Sequence, residues 1–254
     1  MFSSIKWEIK KNLKLGVIIT WILGLALGFV TVYTNFGIEE AYADLFSKYY
    51  GIAPIMGIIM FTMFSGSFIR EYNSNLEGLI KSSKNGKDKL VLAKFIANGI
   101  SASIINLSIL MVMLGKVISV FKFDGLDLTL KSLWYFGNSG SNITVLQMLL
   151  IVSLTVILGS FLFSAIGLYL SSISKKATMP FIFGGLTMGI PYLIELRRML
   201  PKEIIVNLPI SGMYSQQLIR YAAPFSSWIL FIVIALVVPI VLYNLTKKRF
   251  LEEF

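Results

Sequence analysis

Side chains able to do covalent or acid-base chemistry are scarce in this 254-residue chain, which holds no His and no Cys. Thiol nucleophiles, His-based metal sites, His-centred triads and disulfide frameworks therefore lack their groups. A Ser–Lys pair would be the remaining nucleophilic arrangement, but Lys94 and Lys116 stand only at the ends of apolar runs. No pair of carboxylates lies inside such a run, so aspartyl and metal-assisted hydrolysis have no obvious machinery. No G-x-x-x-x-G-K-[ST] segment occurs, so ATP cannot be bound through a P-loop of this chain. The sequence assigns no catalytic residue, no metal ligand and no resident cofactor.

What the chain does have is lipid solubility. It is 56% apolar and 14% charged, with mean hydropathy +0.78, against about 25% charge in ordinary soluble domains. Six stretches free of Asp, Glu, Lys and Arg approach the roughly 20 residues that cross a bilayer: 15–33, 51–69, 95–115, 143–170, 178–194 and 221–246. They predict an all-α integral membrane protein folded as a single domain over 1–254. The fourth stretch would reach about 42 Å as one helix and must tilt or begin above the headgroups. The fifth is short, and Pro180 and Pro191 around Gly184, Gly185 and Gly189 predict a short or broken helix. Residues 195–220, where Pro201 and Pro209 punctuate apolar pieces too short to span, read as a re-entrant hairpin.

The net charge of +10 is better explained by membrane topology than by nucleic acid, which is not an expected partner. With six spans, fifteen Lys and Arg fall on the side of the termini and eight on the other, so both termini are expected in the cytoplasm. A signal peptide is the competing reading of the N-terminus, but its apolar run is too long and Ala41-x-Ala43 lies too far beyond it.

Phe2, Ile5, Ile9 and Leu13 form one helical stripe flanked by Lys6, Lys10 and Lys14, predicting an interfacial helix over 1–14 on the inner leaflet. Trp7 projects almost opposite, toward a cytoplasmic partner or back into the headgroups. Between the second and third spans, Tyr72, Leu76, Leu79 and Ile80 recur at helical spacing outside the membrane, and Asn85-Gly86 supplies a turn. An apolar face on a basic helix needs a partner, either the lipid surface or a protein. Gly24-x-x-x-Gly28 and Gly185-x-x-x-Gly189 allow close helix approach. Met56, Met60, Phe61, Met63 and Phe64 in the second span, with Met179, Phe181, Phe183 and Met188 in the fifth, could line an adaptable apolar surface or fill a core. Asn98, Asn106, Gln147 and Asn244 are polar groups within spans and read as interhelical hydrogen bonds.

The order of these elements, with Phe68-x-x-Glu71 ending the second span, the Leu76–Ser83 segment, and Leu90-x-x-x-Lys94-Phe-Ile-Ala97 heading the third, resembles the permease subunits of ABC-2 type (type V) ABC exporters. The resemblance covers the whole chain as an order of elements and is motif-specific only over about 68–97. The chain departs from the family at Ser83-Lys84-Asn85-Gly86-Lys87, where members often carry proline and arginine.

That resemblance implies that 70–86 is a coupling helix seated in a groove of a separate ATPase, with Glu71, Tyr72, Asn75, Leu76, Leu79, Ile80 and Ser83 at the contact and Trp7 as a further one. It implies two ABC ATPase subunits per complex, binding ATP and Mg, and a second permease copy or paralogue. The dimer seam would use Gly24, Gly28, Gly185 and Gly189, and the substrate path Met60, Phe61, Met63, Phe64, Met179, Phe181, Phe183 and Met188. The expected function is export of an amphipathic or hydrophobic substrate, an antimicrobial or cytolytic peptide first, across a bacterial cell membrane. Drug or lipid export is the alternative, and a non-ABC transporter or channel stands behind both.

Overall fold

The computed structural model describes residues 1–74, 80, 82–83 and 86–250, and the regular elements among them are helical. In chain order the helices are α1 (Phe2–Asn12), α2 (Leu15–Thr31), α3 (Ile38–Gly51), α4 (Ala53–Phe64), α5 (Ile69–Asn73), α6 (Gly86–Phe121), α7 (Val145–Ser172), α8 (Thr178–Leu196), α9 (Lys202–Ile205), α10 (Pro209–Met213), α11 (Gln216–Arg220) and α12 (Phe225–Arg249). Among the described residues α6, α7, α8 and α12 are each long and apolar enough to cross a membrane. Two bent pairs, α1 with α2 at 73° and α3 with α4 at 42°, bring the number to six if each pair is one span.

The second stretch differs most from expectation. Residues 34–50 look like a loop in sequence, yet Ile38–Gly51 is helical and buries Tyr42, Phe46, Tyr49 and Tyr50 on one face. Its mixed composition hides it from a search for uncharged runs. The apolar helix that follows, α4, has 12 residues and would reach only about 18 Å. It does not cross an apolar layer of about 30 Å alone and reaches that length with α3 only if the bent pair is one span.

The fifth stretch is one continuous helix of 19 residues rather than a broken one. Pro180 is its third residue, where the backbone N–H has no intrahelical partner to lose. α6 runs for 36 residues, well beyond 95–115 at both ends. α7 starts at a capping box in which Thr144 accepts from the Gln147 backbone and the Gln147 side chain accepts from the Thr144 N–H. Gln147 is thus a cap and not an interhelical bridge. Asn244 is exposed on α12.

α6 and α7 form the centre, with α12, α2 and α4 packed around them. The core joins Tyr42, Phe46 and Tyr49 of α3, the Met and Phe side chains of α4, Ile109 and Met113 of α6, and Val152 and Val156 of α7. Asn106 sits inside it, donating to Ala102 O at 2.9 Å and reaching Ser160 Oγ at 3.3 Å. Residues 202–220 dip into the bundle between α7, α8 and α12, so that residues 210–218 are buried. Met213 meets α7 at Gly159, and Gly212 meets Phe231 of α12. The outward faces of α2, α8 and α12 remain apolar, as at Ile22, Phe183 and Val237. Such a surface suits lipid, and the molecule is membrane-embedded.

Candidate functional site

At the end of the bundle where α2 begins, α1 lies against the head of α6 through its polar side. Glu8 and Asn12 are its buried residues, one helical turn apart, and Lys94 and Asn98 repeat that spacing on α6. Lys94 Nζ stands 2.9 Å from Glu8 Oε2 and 2.9 Å from Glu71 Oε1. Lys11 Nζ completes the quartet, at 2.6 Å from Glu8 Oε1 and 3.4 Å from Glu71 Oε1. One turn on, Asn12 Nδ2 donates to Asn98 Oδ1 at 2.9 Å and Ser101 Oγ at 3.2 Å, and Asn98 donates to Ser67 Oγ at 3.1 Å.

The two cations and two carboxylates cancel, which permits the burial of Lys94 at 2% exposure and Glu71 at 4%. Burial alone would raise the Glu8 pKa; the Lys94 and Lys11 ammonium groups outweigh it and hold the carboxyl below its ordinary range. Burial likewise opposes the Lys11 charge, and Glu8 with Glu71 reverses this, raising the Lys11 pKa. A recess of about 300 Å³ opens beside the quartet, lined in part by Lys14, Ser67 and Asn73.

The predicted coupling residues divide around this cluster. Glu71 is a member of it and faces inward. Tyr72 also turns inward: its hydroxyl donates to Ser172 O at 2.8 Å and its ring lies 5.7 Å from Phe250. Phe68 N–H donates to Ser171 Oγ, and the Phe68 ring stacks on Phe250 at 4.4 Å. Residues 65–73 are therefore tied to α1, α6, the end of α7 and the end of α12 together. Ile80 packs on the satellite core of Phe68, Val91, Leu168 and Phe250, whereas Ser83 is exposed. Asn75, Leu76 and Leu79 lie outside the described residues. Trp7 is 66% exposed, with Lys10 Nζ 5.6 Å from its ring.

Two other sets of predicted residues also divide. Met60, Phe61, Met63 and Phe64 are buried in the core, with Met63 at the wall of the recess beside the quartet. Phe61 packs edge-on to Phe163 of α7, and Phe64 lies where a side chain at Gly167 would stand. Met188 is buried against Gly57, while Met179, Phe181 and Phe183 face outward from α8. The glycine pairs also separate. A Cβ at Gly24 would meet Ile109 Cδ1 at 3.1 Å, and one at Gly28 would meet Ile109 Cγ2 and Met113 Cγ, both at 3.2 Å. That motif packs α2 on α6 of its own chain. Gly185 and Gly189 have nothing within 4 Å and lie open on α8.

A second polar cluster, which the sequence reading missed, occupies the opposite end. Glu195, next to last in α8, is 3% exposed. Its Oε2 accepts a short hydrogen bond from the Tyr50 hydroxyl, and Ser211 Oγ stands 3.4 Å away. The Arg220 guanidinium lies 4.7 Å from the Tyr135 ring centroid and 5.5 Å from that of Tyr221. Burial pushes the Tyr135 phenol pKa up, the nearby Arg220 opposing it. Tyr50, Tyr135, Glu195, Arg220 and Tyr221 border a cleft of about 330 Å³. The only sequence signals were the crowding of Arg197, Arg198, Lys202 and Arg220 on the less basic side and the aromatic run at 134–136. Neither names a buried carboxylate.

No family model, curated protein or solved structure matches this chain.

Proposed function

We propose that the chain is the permease subunit of an ATP-driven exporter of the ABC-2 type, embedded in a bacterial cell membrane and working with two separate ATPase subunits and a second permease copy or paralogue. The observation that carries the reading is the Glu8–Lys94–Glu71–Lys11 quartet. It joins the N-terminal arm, the head of the central helix and the start of the segment proposed to receive the ATPase. A push delivered to residues 74–85 would be passed through Glu71 and Phe68 to α1, α6, α7 and α12 as one body. In this reading ATP and Mg act on the partner, and no residue of this chain performs covalent chemistry.

The cargo proposed is amphipathic or apolar, an antimicrobial or cytolytic peptide in the first place and a drug or lipid in the second. Support for an apolar path comes from the outward Met179, Phe181 and Phe183 beside the open Gly185 and Gly189. A second permease seated on α8 would enclose that surface.

Affinity purification of the tagged chain from its native membrane tests the reading, run beside the Leu76→Asp/Leu79→Asp variant. A P-loop ATPase recovered with the first and lost with the second is the expected result. A chain recovered alone in both defeats the ABC assignment.

A further inference from the structure

The cleft at the Glu195 end has no task in the transport scheme, and its composition is that of a binding site. Lys48, Arg198, Lys202 and Arg220 stand around it and its neighbouring recess of about 380 Å³, the two sharing Tyr135, Arg198, Arg220 and Tyr221. None of these four cations is in an ion pair among the described residues. The carboxylate in the wall, Glu195, is buried and engaged by Tyr50. Four cations facing one carboxylate leave the space strongly positive, and two rings hold the Arg220 guanidinium in place. Arg can present paired N–H donors to a tetrahedral oxyanion, which Lys supplements as a point charge.

Arg198 at φ 50° and Ala222 at φ 47° border these recesses as the left-handed residues that close two helix C-termini, where Met199 N–H donates to Ile194 O and Ala223 N–H to Leu218 O. The rim is also aromatic, with Trp134 54% exposed beside Tyr135, Tyr192 and Tyr221. Trp and Tyr gather at the depth of lipid headgroups.

We propose that this cleft is a phosphate-binding site, in which Arg198 and Arg220 take the phosphate oxygens and Lys48 and Lys202 close the rim. The aromatic rim suits a phosphate carried on a membrane lipid headgroup. The proposal stands on the cleft and holds whether or not the chain is an ABC permease.

The test uses the full chain in detergent and follows Trp134 fluorescence, with Trp134→Phe identifying its share of the signal. The probes are dihexanoyl phosphatidylglycerol, inorganic phosphate and dihexanoylglycerol, which lacks the phosphate. Saturable binding of a phosphate probe, weakened about tenfold by Arg198→Gln and by Lys202→Gln and unaffected by Lys6→Gln, is the expected result. Tighter binding of the lipid than of inorganic phosphate identifies a headgroup; equal binding identifies free phosphate. Arg198 and Lys202 are exposed, so both variants should keep the parent melting temperature. No saturable binding, dihexanoylglycerol binding as tightly as the phospholipid, or binding indifferent to Arg198 and Lys202 overturns the proposal.

Discussion

Lys94 neutralises two carboxylates, Glu8 and Glu71, at 2.9 Å each from a position that is 2% exposed. Lys94→Met would leave both carboxylates in the interior with only the half-exposed Lys11 between them. Removing one partner from a buried charge group costs about 3–5 kcal/mol, so thermal unfolding in detergent should show a fall of several degrees or loss of folding. Glu8→Gln is gentler, because an amide still accepts from Lys94. The pH dependence follows from the shift at Glu8. Its folded pKa lies below the ordinary value of 4.5, so its stabilising contribution is complete above that value and disappears as pH falls through the lowered one. Lys11, raised above 10.5, contributes below that value and ceases to do so as pH rises through its raised pKa. Proteolysis of the α1 arm should therefore accelerate on the acid side, and Glu8→Gln should remove that acid limb.

Elements pack by side-chain size, and the two glycine motifs make opposite predictions. A branched side chain at Gly28 would press on Ile109 and Met113, already 3.2 Å from the Cβ position; overpacking of this kind costs about 1–3 kcal/mol. Gly28→Val should lower the melting temperature in detergent, while Gly189→Val, which meets open space, should leave it unchanged. If both variants melt alike, the packing of α2 on α6 is misplaced. The two motifs look identical in sequence because spacing reveals a smooth face and says nothing of what covers it. The same limit governs the other elements. Uninterrupted apolar runs were enough to find α2, α6, α7, α8 and α12, since lipid-facing residues need only be apolar. α3 escaped notice because Glu39, Glu40, Asp44 and Lys48 interrupt it, and only its buried tyrosine face makes it part of the bundle. The quartet was half legible: Lys94 and Glu71 stood in the recognised motif. Glu8, however, could be placed only by knowing that α1 docks through its polar side and leaves Phe2 and Leu13 outward.

On the scale of the whole molecule, the two polar clusters mark the ends of the bundle and make its orientation measurable. The quartet lies with the head of α6 and the end of α12, where Lys247 pairs with Asp88 at 2.8 Å; the Glu195 cleft lies where α8 ends and α12 begins. With six spans, fifteen basic residues against eight predict a cytoplasmic quartet end. The basic Glu195 cleft runs against that bias, as a ligand site is free to do when its cations serve an anion and not topology. Because the chain has no Cys, single cysteines report without background. A membrane-impermeant maleimide applied to intact cells should label Lys202→Cys and spare Lys87→Cys, which should react only after permeabilisation. The reverse pattern would invert the molecule, detaching the quartet from any cytoplasmic ATPase. Labelling of both from outside would mean that one of α6, α7 and α8, the three helices between the two positions, does not cross. α8 is then the first suspect, since with 19 residues it is the shortest of the three and at about 29 Å only just matches an apolar layer of about 30 Å.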